Sequence, residues 1–175
     1  VRDFLASRQI ELPEGSEDDP PSAETIHGLG NRKNELVLGI MKRDGVEAYE
    51  GSVRYLHAAR DAGLRRAVVS SSANCRDVLI AAGIEDLLEV RVDGIVAEDE
   101  HLAGKPARCS SSATNLGVGP SEAAVFEDAL AGVESGRAGN FGCVVGVNRV
   151  GQADALREHG ATVVVDDLAE LLGEK

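Results

Sequence analysis

Three short segments of the 175-residue sequence carry residue types that can hold a phosphate and a divalent cation. The first follows an apolar run and offers hydroxyl and amide groups: Ser70, Ser71, Ser72 and Asn74. The second is a lone lysine, Lys105, between a glycine and a proline, and the third is the pair Glu127-Asp128 at the end of another apolar run. Ammonium groups balance phosphate charge, and adjacent carboxylates are hard oxygen ligands for Mg²⁺. Together the segments predict a phosphate-and-magnesium site.

Each segment also has a purely structural explanation. Serine and asparagine are preferred N-cap residues, so the segment 70–74 also fits an ordinary helix start. A loop lysine such as Lys105 is commonly just solvated, and Asp128 also fits as the cap of a helix predicted from Ala129. If there were no functional site, a structural explanation would have to be correct for each of the three segments separately. The combination therefore favours a functional site.

The elements around these segments predict an α/β fold. From Gly51 onward, apolar segments of strand length alternate with helical stretches of about ten residues, as in a doubly wound parallel sheet. The predicted strands and strand-like segments are 66–70, 88–92, 123–126, 143–147 and 162–165. Ligands of such sheets bind beyond the carboxyl ends of the strands. The serine segment and the carboxylate pair both lie at that edge.

The first 50 residues have a helical pattern interrupted by a loop rich in proline and acidic residues, 13–21. Ser22 is predicted to cap a long helix, whose buried side is expected to hold five apolar residues: Leu29, Leu36, Val37, Ile40 and Met41. The same helix carries two cations and an amide that could face a ligand pocket: Arg32, Lys33 and Asn34. A solvated helix face explains these three residues equally well.

Composition excludes several classes of partner. The formal net charge of −12 argues against nucleic acid or an anionic membrane as the main partner. No apolar run approaches the roughly 18 residues that span a bilayer. The three cysteines are odd in number and lack the paired spacing of a zinc site or a disulfide framework, which fits a reducing cytoplasm.

In their order along the chain, the serine segment, Lys105-Pro106-Ala107 and Phe126-Glu127-Asp128 resemble the haloacid dehalogenase superfamily. The β-phosphoglucomutase and sugar-phosphate phosphatase branch is the most similar. This resemblance implies phosphoryl transfer on a small phosphorylated sugar through an aspartyl-phosphate, assisted by Mg²⁺, beneath a helical cap. It assigns residues 1–48 to a partial cap and 49–175 to the α/β core.

The resemblance also implies roles for the candidate residues. Ser70 would hold the transferring phosphoryl group together with Lys105, a supporting catalytic residue. Asp128 would ligate Mg²⁺ with support from Glu127. The remaining candidates would lie near the phosphates or contact the substrate from the cap: Ser71, Ser72, Asn74, Arg32, Lys33 and Asn34.

The sequence departs from the family pattern at the expected nucleophile. The family opens with an apolar strand ending in Asp-x-Asp-Gly, and the printed sequence contains no such motif. We therefore expect a fragment whose core lacks its central first strand, binds Mg²⁺ weakly or not at all, and is inactive alone. Unpaired strand edges would also favour self-association through the open sheet. The alternative is a non-catalytic sugar-phosphate-binding or interaction module.

A second departure follows Ala107. The family continues with an amphipathic helix, whereas residues 108–115 of this chain show no helical apolar stripe. One hypothesis is a local reading-frame slip in the coding DNA, which resequencing would test.

Overall fold

The computed structural model describes residues 2–104 and 106–173, and the chain divides into two compact units. The first unit, Val1–Val46, contains helices α1 (Arg2–Ala6) and α2 (Ile26–Asp44). The second, Glu47–Lys175, contains the strands and the remaining helices of the described residues. No helix within the described residues combines the length and apolar character needed to cross a membrane.

Helix α2 begins at Thr25, not at Ser22 as predicted. The Thr25 hydroxyl accepts a hydrogen bond from the Gly28 N–H at 2.9 Å and donates to the Asp19 carboxylate at 2.6 Å. The Thr25 hydrogen bond, followed by one from the Ser16 N–H, lowers the pKa of Asp19. Thr25 caps the helix because its hydroxyl can hydrogen-bond to a helix N–H and to the loop carboxylate at the same time.

The predicted buried side of α2 is wrong for two of its five residues, and the other three are partly buried: Leu29, Val37 and Met41. Leu36 is 61% exposed and Ile40 is 49% exposed, whereas Gly28 is buried. The hydrogen bonds given between α2 and the loop before it lie in the first turns of the helix, from Ile26 to Arg32.

The strands of the second unit form two parallel sheets. Strands β1 (Ala67–Val69) and β2 (Val90–Val92) pair with each other. Strands β3 (Ala124–Glu127), β4 (Cys143–Val147) and β5 (Val163–Val165) pair in that order. Within the described chain no ladder joins β1 to β3. The predicted α/β class with parallel strands is confirmed, and its sheet is in two pieces.

Six helices of the second unit connect and cover these strands: α3 (Glu50–Asp61), α4 (Cys75–Ala81), α5 (Gly94–Asp99), α6 (Ala107–Asn115), α7 (Leu130–Ala138) and α8 (Ala153–Glu158). Helix α6 packs on β1 and β2, and α7 packs on β3 and β4. Helix α8 packs on β4 and β5. The core is aliphatic, with Val133 and Leu156 fully buried beside Val144.

Helix α6 occupies the segment for which the sequence showed no helical stripe. Four small or apolar residues at helical spacing are buried: Cys109, Ser112, Ala113 and Leu116. The Ser112 hydroxyl donates to the Cys109 carbonyl at 2.7 Å, so a serine is accommodated in this contact without an unpaired donor. The prediction that this segment has no buried stripe is therefore wrong, because small residues form the buried side of the helix. The reading-frame hypothesis stays a prediction.

Candidate phosphate and metal site

The loop from Ser70 to Asn74 joins β1 to α4 at the carboxyl end of β1. The Ser70 N–H donates to the Val92 carbonyl at 3.0 Å, which anchors the loop to the sheet. The Ser70 hydroxyl accepts from the Ser72 N–H at 3.1 Å, and the Ser72 hydroxyl accepts from the Asn74 N–H at 3.2 Å. Asn74 forms no side-chain capping bond to α4. The serines thus shape a local turn, and ordinary capping by Asn74 does not account for the motif.

A buried carboxylate that sequence reasoning missed lies behind this loop. Asp93 is fully buried, and its Oδ1 accepts from the N–H groups of Ile95 and Val96 at 3.1 Å each, capping α5. Its Oδ2 lies 2.6 Å from Arg91 Nε in an ion pair, although the two atoms lack hydrogen-bond geometry. An aspartate before a glycine after a strand was the available signal, but it indicates only a helix cap.

Gly94 brings this aspartate against the serine loop. The Gly94 N–H donates to the Ser72 carbonyl at 3.3 Å. A Cβ at Gly94 would lie 3.0 Å from the Ser71 carbonyl oxygen and 3.1 Å from the Ala73 nitrogen. The loop and the start of α5 therefore support each other through backbone contact.

Cys75, the first residue of α4, is buried next to the same group. Burial raises the pKa of the Cys75 thiol, a hydrogen bond with the Ser70 side chain lowers it, and the nearby Asp93 raises it. The net shift is upward, so the thiol stays protonated and is a poor nucleophile. Cys75 therefore has a packing role in the site.

One cationic residue was predicted beside this loop from the sequence, and the structure places a different one there. Lys105 lies outside the described residues, so its contact with a phosphate stays a prediction. Arg108, which sequence reasoning missed, donates from Nη1 to the Ser70 carbonyl at 3.4 Å. No sequence signal pointed to Arg108, because its segment was not expected to pack as a helix.

The carboxylate pair lies at the end of β3. Helix α7 has Ala129 as its N-cap residue and no side-chain capping bond, so Asp128 does not cap it. The Asp128 side chain is exposed, and its carbonyl accepts from Gln152 Nε2 at 2.8 Å. The Glu127 carboxylate lies against Gly132, where a Cβ would be 2.6 Å from Oε1. The alternative that Asp128 caps this helix is therefore wrong, and a metal-binding role of the pair stays a prediction.

The structure assembles the serine loop and the carboxylate pair on different sheets. Strand pairing does not join them within residues 2–104 and 106–173. In the same described residues, no three His, Cys, Asp or Glu side chains are grouped so that they could hold a metal ion. Metal binding by Glu127 and Asp128 therefore stays a prediction.

The three helical candidates lie in the first unit, on α2, and all are exposed: Arg32, Lys33 and Asn34. The Nε of Arg32 donates to the Pro21 carbonyl at 2.6 Å, which holds the loop before α2. This gives Arg32 a structural use in its own unit. Substrate contact by the three residues stays a prediction.

Parallel strands with crossover helices, a serine loop after one strand and a carboxylate pair after another define an α/β unit of the doubly wound class. A family model described as haloacid dehalogenase-like hydrolase matches residues 3–140, more than half of the chain. The chain therefore belongs to the haloacid dehalogenase-like hydrolase family, which confirms the resemblance seen in the sequence.

Individual relatives show which members of the family this chain is similar to. A Mycobacterium tuberculosis protein named β-phosphoglucomutase is 58% identical over 177 aligned residues, covering 98% of this chain and 68% of the relative. The trehalose-phosphate phosphatase of Mycobacterium leprae is 32% identical over 127 residues, covering 70% of this chain and 28% of its own length. The crystal structure of Clostridium difficile β-phosphoglucomutase superposes with a TM-score of 0.69 at 25% identity, over 85% of this chain and 63% of that one.

Proposed function

We propose that this chain forms the phosphate-binding part of a Mg²⁺-dependent enzyme that transfers phosphoryl groups on small phosphorylated sugars. The observation that carries the proposal is the loop after β1, where serine hydroxyls order the backbone at the carboxyl end of a parallel strand. The 58% identity to a protein named β-phosphoglucomutase supports a sugar phosphate as the ligand. Mutase and phosphatase reactions both fit this site.

In the proposed site, Ser70 and the loop that it orders bind the phosphate oxygens. Phosphoryl transfer depends mainly on positioning and on neutralising negative charge, and hydroxyl, amide and cationic groups do both. Lys105 supplies one such cation in the proposal. Asp93 does not touch the ligand; it positions the loop through Gly94.

Asp128 and Glu127 are the residues that would hold Mg²⁺. Mg²⁺ is commonly bound through one or two carboxylates together with substrate phosphates, so this pair fits the ion when a phosphate is present. When bound, the ion would neutralise charge on the phosphate oxygens. With only two protein carboxylates, the ion should bind weakly until the phosphate arrives.

Replacement of Gly132 by alanine should weaken Mg²⁺ binding by about 10- to 100-fold, the range seen when groups that orient metal ligands are altered. The new Cβ would occupy the space of the Glu127 carboxylate, which must rotate away. Because only the end of a flexible side chain moves, the fold should tolerate the change. Mg²⁺ titrations in the presence of a sugar phosphate, followed by NMR, would measure the effect.

The matched control is Gly39→Ala in α2, where an added Cβ meets no atom within 4 Å. This variant adds the same methyl group far from the carboxylate pair in sequence and should leave Mg²⁺ affinity unchanged. Equal affinity in Gly132→Ala and wild type would contradict the assignment of Glu127.

Equilibrium binding tests the proposed function. Calorimetric titration with glucose 1-phosphate and Mg²⁺ should show binding to the wild-type chain, weakened by about tenfold or more in Ser70→Ala, because a hydrogen bond to a charged ligand is lost. Ser121→Ala, an exposed serine in the turn before β3, is the matched control. Undetectable binding to wild type, or equal binding by Ser70→Ala, would overturn the proposal.

A second candidate function is a non-catalytic sugar-phosphate-binding or interaction module. The observation that favours it is the printed sequence itself, which has no Asp-x-Asp-Gly motif. Both candidates predict binding, so turnover separates them. A cytoplasmic location and self-association through the edges of β1 and β3 stay predictions.

A further inference from the structure

Arg108 lies in the first turn of α6 without an anionic partner among the described residues. Its Nη1 makes a long hydrogen bond of 3.4 Å to the Ser70 carbonyl. Its Nε is enclosed by protein and has no hydrogen-bond acceptor. A guanidinium carries five N–H donors, so most of its donors are unused by this part of the chain. The Nε is thus shielded from solvent, while the residue as a whole is half-buried.

The location of Arg108 is unfavourable for a cation by itself. The first turn of a helix carries the positive end of the helix dipole, which favours anions. No acidic residue lies in the first turn of α6 to compensate. A bound anion would relieve both the unpaired charge and the unused donors.

Other arginines near β1 and β2 are neutralised by carboxylates. Four of them form ion pairs: Arg65 and Arg66 with Glu89, Arg76 with Glu85, and Arg91 with Asp93. Arg108 differs from these four in that its acceptor is a backbone carbonyl of the serine loop. Its unsatisfied charge is therefore placed beside the loop to which the phosphate was assigned.

We propose that Arg108 binds the phosphate group of a phosphomonoester held at the Ser70–Asn74 loop. A planar guanidinium presents paired N–H groups that match two phosphate oxygens, and it stays charged at any physiological pH. The contact from Nη1 to the Ser70 carbonyl orients the group toward this loop. The inference rests on the proposed function and adds a second cation to the site.

Binding of inorganic phosphate to the full 175-residue chain tests the inference. Arg108→Gln should raise the dissociation constant by about tenfold or more, because charge-assisted hydrogen bonds are lost. Arg108→Lys should lie between this variant and wild type, since it keeps the charge but not the fork. The matched control is Arg65→Gln. Arg65 also donates Nη1 to a backbone carbonyl, that of Leu116 at 2.7 Å, after the end of α6.

The outcomes separate this inference from the proposed function. Equal phosphate affinity in Arg108→Gln and wild type, with weakened binding in Ser70→Ala, would overturn the role of Arg108 and leave the proposed function standing. Undetectable phosphate and sugar-phosphate binding to wild type would overturn both. Circular dichroism melts check folding. If Arg108→Gln is unfolded, Arg108→Lys carries the test, and a wild-type dissociation constant in that variant would overturn the fork contact.

Discussion

The 175-residue chain assayed alone with Mg²⁺ should turn over sugar phosphates at least about 10⁴-fold more slowly than the full-length Mycobacterium tuberculosis relative, because removal of a covalent nucleophile commonly costs that much. The sequence contains the residues proposed to bind phosphate and Mg²⁺ but no Asp-x-Asp-Gly motif. Binding should persist while chemistry does not. Phosphate release and conversion of β-glucose 1-phosphate, measured side by side for the two proteins, check the prediction.

Two variants make this assay decisive. Turnover by wild type that Asp128→Ala abolishes and Asp154→Ala preserves would contradict the prediction, because it would reveal a nucleophile elsewhere in the chain. Asp154 is a suitable control because its side chain is 96% exposed and pairs only with a surface arginine. Turnover that survives Asp128→Ala would point to a contaminating phosphatase. Binding without turnover would support the non-catalytic module for this chain.

Replacement of Asp93 by alanine should lower the free energy of unfolding by about 2–4 kcal/mol. Two capping bonds to α5 are lost, and Arg91 loses its 2.6 Å ion pair, leaving its 4.0 Å contact with Glu85. The Arg91 side chain is 33% exposed, so water offsets part of that second loss. Urea unfolding followed by circular dichroism measures the change. The serine loop should loosen as well, because Gly94 contacts it directly.

Asp93→Asn separates the two contributions, since an amide oxygen keeps the capping acceptor but not the charge. It should therefore be less destabilising than Asp93→Ala. The matched control, Asp99→Ala at the exposed end of α5, should change stability by no more than about 0.5 kcal/mol. A wild-type unfolding curve for Asp93→Ala would show that the buried carboxylate does not support this part of the fold.

Local patterns in the sequence were sufficient to predict those strands and helices that depend mainly on residues nearby in the chain. The strand Cys143–Val147 was predicted with its observed bounds, and the other strand predictions differ from the structure by one or two residues at their ends. Apolar runs of strand length followed by helical spacing need no distant contact to be recognised. The order of the motifs was likewise enough to identify the family.

Prediction failed where a segment is shaped by residues far away in the chain. Helix α6 looked too polar to pack, yet its small residues fit against β1 and β2. Leu36 and Ile40 have the spacing of a buried face but remain exposed. Whether a helix face is buried depends on which element packs against it, and local periodicity does not contain that information.

The sequence by itself determined the parallel α/β class, the positions of the serine loop and of the carboxylate pair after their strands, and membership of the haloacid dehalogenase-like hydrolase family. Only the tertiary structure decided that Asp93 supports the serine loop from behind and that Arg108 contacts Ser70. The physical reason is sequence separation. Hydroxyl and carboxylate motifs form within a few residues, whereas Arg108 meets Ser70 across 38 positions, a contact that only packing of α6 on the sheet creates.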